Sequence, residues 1–104
     1  MFNKITIVGC GLIGSSIARE IKKRKLAKNI SVCDISSKAL KDVKSLKLAN
    51  EISYNLKVCC KDTNIIFICT PLSTYERIFK TIRDHAPISA IITDVGSSKS
   101  NIIK

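Results

Sequence analysis

Apolar residues along this 104-residue chain fall into two alternating patterns. Short β-branched runs occupy residues 4–8 (KITIV), 30–33 (ISVC), 64–70 (NIIFICT) and 90–93 (AIIT). They lack the clean in-out alternation of a half-exposed strand, as expected of strands covered on both faces of a parallel sheet. Longer periodic stretches lie between them. Ile13, Ile17 and Ile21 recur every four residues, with Ala18 beside the stripe and Arg19, Lys22 and Lys23 off it. That spacing predicts an amphipathic helix. Residues 37–48 carry Leu40, Val43 and Leu46 or Lys47 against a lysine-rich face, and residues 73–84 carry Ile78, Phe79 and Ile82. The stretch 49–63 is less marked and is assigned a short strand at 52–53 and helical turns through 56–60. Strands alternating with helices predict βαβ units around a parallel sheet.

Against that pattern the hexad GCGLIG gains meaning. Gly9, Gly11 and Gly14 follow the first strand directly and open the first helix, the context a dinucleotide-binding glycine loop requires. Gly9 permits the tight turn, Gly11 lets backbone approach a pyrophosphate, and Gly14 lets helix and strand pack closely. Leu12 and Ile13 complete the loop. The helix start offers free N–H groups and a partial positive charge to phosphates, with Ser15 and Ser16 in its first turns. The second strand ends at Asp34, twenty residues beyond Gly14, where an acid would accept hydrogen bonds from ribose hydroxyls. A carboxylate there repels a 2′-phosphate, and no arginine follows in Ile35-Ser36-Ser37, so NAD is favoured over NADP. The competing explanation is a glycine turn in an α/β domain that binds nothing.

Two later segments lie at carboxyl ends of predicted strands, where ligand crevices of such sheets form. Thr70-Pro71 would pass beside the cofactor, and Ser97 would stand near its nicotinamide end. Each has a plain structural explanation too. Proline ends a strand because it cannot donate to the ladder, and Ser97 or Ser98 would serve as a helix N-cap.

Composition narrows the class. Hydrophobic residues at 45% and charged residues at 25% describe a globular chain of one domain's length. No run approaches the ~18 apolar residues of a membrane span, and the N-terminus shows no secretory leader. The cytoplasm is the expected location, with no membrane partner. Five cysteines, Cys10, Cys33, Cys59, Cys60 and Cys69, have no metal-ligand spacing and are expected as buried thiols; no metal site is predicted. The net charge of +10 raises nucleic-acid binding. The lysines are interspersed at helical spacing, however, and the few aromatics do not interleave with them, so solvated faces are expected and no nucleic-acid partner.

Taken in order, GLIGSSIA, Asp34, NIIFICTP and TDVGSSK resemble the N-terminal part of prephenate dehydrogenases and their arogenate-using relatives. The resemblance runs over nearly the whole chain, and its most diagnostic segment is Asp94-Val95-Gly96-Ser97-Ser98-Lys99. It implies a Rossmann-type doubly wound α/β fold, here incomplete with about five strands, forming one NAD(P)-binding domain over residues 1–104. It implies that Gly9, Gly11, Leu12, Ile13, Gly14, Asp34, Thr70 and Pro71 hold NAD and that Ser97 lies on the catalytic side. The family reaction is oxidative decarboxylation. Hydride passes from the carbinol carbon of prephenate to NAD, the ring carboxylate leaves as carbon dioxide, and 4-hydroxyphenylpyruvate forms on the way to tyrosine.

By the same resemblance, the histidine that polarises the substrate hydroxyl lies beyond Lys104, as does the helical C-terminal domain that binds substrate and forms the homodimer. His85 precedes the diagnostic segment and is expected on the surface. This chain alone is therefore expected to bind NAD without turning over prephenate. Two alternatives stay open. One is another dehydrogenase sharing the glycine loop, of the 3-hydroxyacid or pyrroline-carboxylate type. The other is a nucleotide-binding module without chemistry.

Overall fold

The computed structural model of the chain describes residues 1–9 and 11–94. Among them, strands β1 (Phe2–Val8), β2 (Ala27–Cys33), β3 (Glu51–Ser53), β4 (Ile65–Ile68) and β5 (Ile91–Asp94) form one sheet in the order β3-β2-β1-β4-β5. Every neighbouring pair is parallel. The connections are helices α1 (Leu12–Arg24), α2 (Ser37–Ser45), α3 (Leu56–Cys59) and α4 (Tyr75–His85), the last entered through a 3-10 turn at Leu72–Thr74. The chain leaves β1 in one direction through β2 and β3, then returns past β1 to lay down β4 and β5. This is the doubly wound arrangement, with its switch point between β1 and β4.

Period-two alternation along the strands divides the core into two layers. Ile5, Ile7, Ile30 and Val32 pack with Ala18 and Ile21 of α1 and Val43 of α2. Val8, Ile66 and Ile68 pack with Cys60, which caps α3, and with Ile78 and Ile82 of α4. Thr6 is fully buried in the middle strand. Its hydroxyl donates to the Cys59 carbonyl at 2.8 Å and lies 3.0 Å from the Thr63 hydroxyl. Among the described residues no buried side-chain polar atom lacks a partner, and no helix is long and apolar enough to cross a membrane.

The boundaries shift where backbone geometry outweighs side-chain pattern. β1 and β2 begin earlier than their apolar runs because Phe2 pairs with Ala27 and Lys4 with Asn29, extending the ladder through polar residues. β4 is shorter than the 64–70 run, leaving Thr70 and Pro71 in the loop. α2 stops at Ser45, short of the expected 48. Lys47 then adopts a left-handed φ of 55°, which turns Leu48 into the core while Leu46 stays 51% exposed. Two further residues assigned to core stripes are displaced outward. Ile13 is 45% exposed, since the buried face of α1 is Gly14, Ala18 and Ile21. Phe79 lies at the surface and meets Tyr75 edge-on at a centroid distance of 5.7 Å.

Candidate functional site

Strand register brings the carboxyl ends of the sheet level. Val8 pairs with Cys33 on one side and Ile68 on the other, Cys33 pairs with Ser53, and Ile68 with Asp94. The residues that follow are stitched to neighbouring strand ends. Gly9 N–H donates to the Cys33 carbonyl at 2.7 Å, Asp34 N–H to Ser53 at 3.1 Å, and Cys69 N–H to Val8 at 2.8 Å. Three loops separated along the chain are thereby held side by side.

The glycine loop is built by steric exclusion. Gly9 has φ +87°, and a Cβ there would stand 2.6 Å from Cγ2 of Thr70. A Cβ on Gly14 would come within 2.3 Å of the Gly9 carbonyl oxygen. At Gly11 a Cβ would meet nothing within 4 Å among the described residues, so they leave the space in front of its backbone open. Gly11 is also the N-cap of α1 and supplies no side-chain hydrogen bond to the helix. By contrast, Ser36 caps α2 through the Ala39 N–H, and Asn55 caps α3 through the Lys57 N–H. An uncapped helix start behind an open glycine is suited to an anion.

Beside this loop lies a cleft of about 440 Å³. Its wall comes from Val8, Gly9 and Gly11 after β1, Cys33, Asp34 and Ile35 after β2, Tyr54 and Leu56 after β3, and Cys69, Thr70 and Pro71 after β4. Helix α4 closes it with Arg77, Ile78 and Thr81. Asp34 is half-buried, and one carboxylate oxygen accepts from the Ser36 N–H at 2.9 Å, which sets the loop after β2. Thr74 fixes the opposite loop, its hydroxyl lying 2.8 Å from that of Thr70 and 2.7 Å from the Pro71 carbonyl. The hydrogen bond with Cys59 and burial push the Cys33 thiol well above its ordinary range. A larger groove of about 750 Å³ runs between α4 and the end of the sheet at Ile92. It has no glycine loop and lies away from the assembled strand ends.

The structure thus brings Gly9, Gly11, Asp34, Thr70 and Pro71 to one cleft. Leu12 and Ile13 begin α1 with exposed side chains, and Gly14 is buried beneath the loop; none of the three lines the cleft. Ser97, the predicted helix start around it, and Cys10 lie outside the described residues. His85 ends α4 and is exposed. Among the described cysteines, Cys33, Cys59 and Cys60 are buried free thiols, and Cys69 is half-buried. No group of three or more metal-ligating side chains occurs among the described residues. Arg77 and Thr81 escaped the sequence reading. Their signal was present, because Thr74, Arg77, Ile78 and Thr81 share one helical face, but only the tertiary fold turns that face into the cleft.

A parallel sheet wound both ways from its first strand, with a glycine loop and an acid at its switch point, defines a nucleotide-binding domain of Rossmann type. The family model described as prephenate dehydrogenase, nucleotide-binding domain, matches residues 17–104, and the chain belongs to that family. A cyclohexadienyl dehydrogenase from Zymomonas mobilis is 27% identical over 104 residues, covering 100% of this chain and 36% of the relative. An arogenate dehydrogenase structure from Synechocystis has a TM-score of 0.80 at 29% identity, over 90% of this chain and 33% of its own. A prephenate dehydrogenase from A. aeolicus, in complex with hydroxyphenyl propionate and NAD+, shares the fold with a TM-score of 0.81 at 20% identity, over 90% of this chain and 33% of its own. The chain spans about a third of the length of these relatives.

Proposed function

We propose that residues 1–104 form the NAD-binding domain of a dehydrogenase acting on prephenate or arogenate, and that the cleft at the sheet's carboxyl edge holds the dinucleotide. The observation that carries this reading is the open space at Gly11 in front of an uncapped helix start, next to a half-buried carboxylate at the end of β2. The residues present fit the cofactor. Gly9 and Gly14 keep the loop against the sheet, the N–H groups opening α1 receive the pyrophosphate, and Leu12 and Ile13 hold the turn into that helix. Asp34 accepts hydrogen bonds from the adenosine ribose, while Thr70 and Pro71 line the path toward the nicotinamide. On the family pattern, Ser97 would serve the reacting end of the cofactor.

Bound in this cleft, NAD would supply the acceptor for the hydride of the ring carbinol carbon, whose departure accompanies loss of carbon dioxide. This chain's contribution is to fix the nicotinamide ring's position and keep the acceptor face toward the substrate. Substrate binding, the polarising histidine and homodimer contacts belong to the remainder of the enzyme, which works in the cytoplasm on a small-molecule substrate without nucleic acid or membrane. The names of the relatives, together with the NAD+ in the A. aeolicus complex, support the reading.

NAD is preferred to NADP because the Asp34 carboxylate would face a 2′-phosphate at close range. Parallel fluorescence titrations of the chain with NADH and NADPH test this. NADH should bind more tightly, and Asp34→Ala should weaken NADH while narrowing the gap between the two. Equal affinities that Asp34→Ala leaves untouched would remove Asp34 from the site.

A further inference from the structure

Among the described residues, the one cationic side chain in the wall of the cleft is Arg77. It stands on α4 between Thr74 and Thr81, on the same face as the buried Ile78. Among the described residues no ion pair or hydrogen bond engages its guanidinium: the Thr81 hydroxyl bonds to the Arg77 backbone carbonyl at 3.1 Å, and the ion pairs involve other cations. The surrounding walls are largely apolar. Ile35 is 84% exposed directly after Asp34, and Val8, Leu56 and Ile78 line the slot between it and α4. The anion-seeking features, Gly11 and the start of α1, belong to the loop after β1. An apolar slot with a planar, unpaired cation along one side suits a flat heteroaromatic ring better than a phosphate. Guanidinium groups stack on such rings in a way that an ammonium does not reproduce.

We propose that Arg77 is an affinity-determining residue for the cofactor: its guanidinium stacks over the adenine ring, pressing it against the Ile35 side of the cleft. The proposal rests on the reading of this cleft as a dinucleotide site and adds a contact from α4, far along the chain from the glycine loop and Asp34. Stacking by a partly exposed guanidinium predicts a loss of between about two- and thirty-fold in affinity when the group is removed. Because the Arg77 side chain is exposed and makes no ion pair or hydrogen bond among the described residues, its replacement should leave the fold intact.

The test is titration of NADH into the wild-type chain, Arg77→Ala and Arg77→Lys at low and high salt, with thermal melts of all three. The expected result is unchanged melting and weaker binding by both variants, by similar factors at both salt concentrations. Wild-type affinity in Arg77→Lys would identify a simple charge contact with a phosphate and overturn the stacking role. Unchanged affinity in Arg77→Ala would overturn any role for this residue while leaving the cleft assignment standing. Failure of the wild-type chain to bind NADH at all would bring down the cleft assignment, and the inference with it.

Discussion

The α-carbon of Gly14 sits so close beneath Gly9 that a Cβ would be 2.3 Å from the Gly9 carbonyl oxygen. The same Cβ would lie 3.3 Å from Cγ2 of Ile7, so both the loop backbone and a core side chain would have to shift. This contact sets how near α1 approaches β1, and through that where the helix start points. Gly14→Ala should therefore destabilise the chain by about 1–3 kcal/mol, the usual cost of overpacking. It should also weaken nucleotide binding by displacing the loop. Urea denaturation measures the first effect, and a melting curve matching wild type would contradict it.

Thr6 joins the sheet to α3 from within the core. Replacement by valine keeps the shape but leaves the Cys59 carbonyl without its 2.8 Å donor. An acceptor stranded in the interior costs about 1–3 kcal/mol. Thr6→Val should lower stability by that order, whereas Thr6→Ser, which keeps the hydroxyl, should retain the hydrogen bond and lose only a methyl group's packing. Equal stability of Thr6→Val and wild type would show that the carbonyl finds another partner.

Glu51 ties the edge strand β3 to the rest of the sheet. Its carboxylate accepts from the Ser31 hydroxyl at 2.8 Å and pairs with the Lys4 ammonium at 3.1 Å. Burial pushes its pKa up, but those two partners outweigh it and the net direction is below the ordinary value of 4.5. A lowered folded-state pKa means that the stabilisation is present above the ordinary value and is lost as pH falls through the folded value. Melting temperature should therefore decline from just above pH 4.5 downward, and Glu51→Gln should make that acid limb shallower. The Glu51 side chain is 43% exposed, so solvent screening keeps the difference small. Identical acid limbs in the two proteins would rule out this contribution.

Thiol accessibility checks the packing beneath the cleft. Cys33, Cys59 and Cys60 are buried, and the Cys33 thiol is held protonated by its bond with Cys59 and by burial. Iodoacetamide at neutral pH should label Cys69 before these three, with the three reacting only after unfolding, as peptide mapping by mass spectrometry would reveal. Labelling of Cys33 at the rate of an open thiol would contradict the structure.

Much of this architecture is legible in the chain's pattern because a covered parallel sheet writes compact apolar runs and its crossover helices write a longer period. The glycine loop, Asp34 and Thr70-Pro71 were placed by their positions at strand ends. Other features needed the third dimension. Ile13 looked like a core residue by size and spacing. Close approach of helix to strand selects the small residues Gly14 and Ala18 instead, and pushes the larger side chain outward. The end of α2 was hidden because Lys47, which turns the chain with a positive φ, carries no glycine-like signal. Arg77 and Asp34 line one cleft only because β4 returns beside β1, a relationship that no local window contains.

The central claim, that this cleft receives a dinucleotide at Gly11, is tested most directly by Gly11→Ala. In the free protein the added methyl group meets none of the described residues within 4 Å, so the variant should melt with wild type. In the bound state that methyl group would occupy the path of the pyrophosphate. NADH fluorescence titrations of both proteins should show clear binding to wild type and at least ~10-fold weaker binding to a fully folded Gly11→Ala, a loss of ~1.4 kcal/mol. Undiminished NADH affinity in that variant would contradict the account, because the dinucleotide would then lie elsewhere than against the loop after β1.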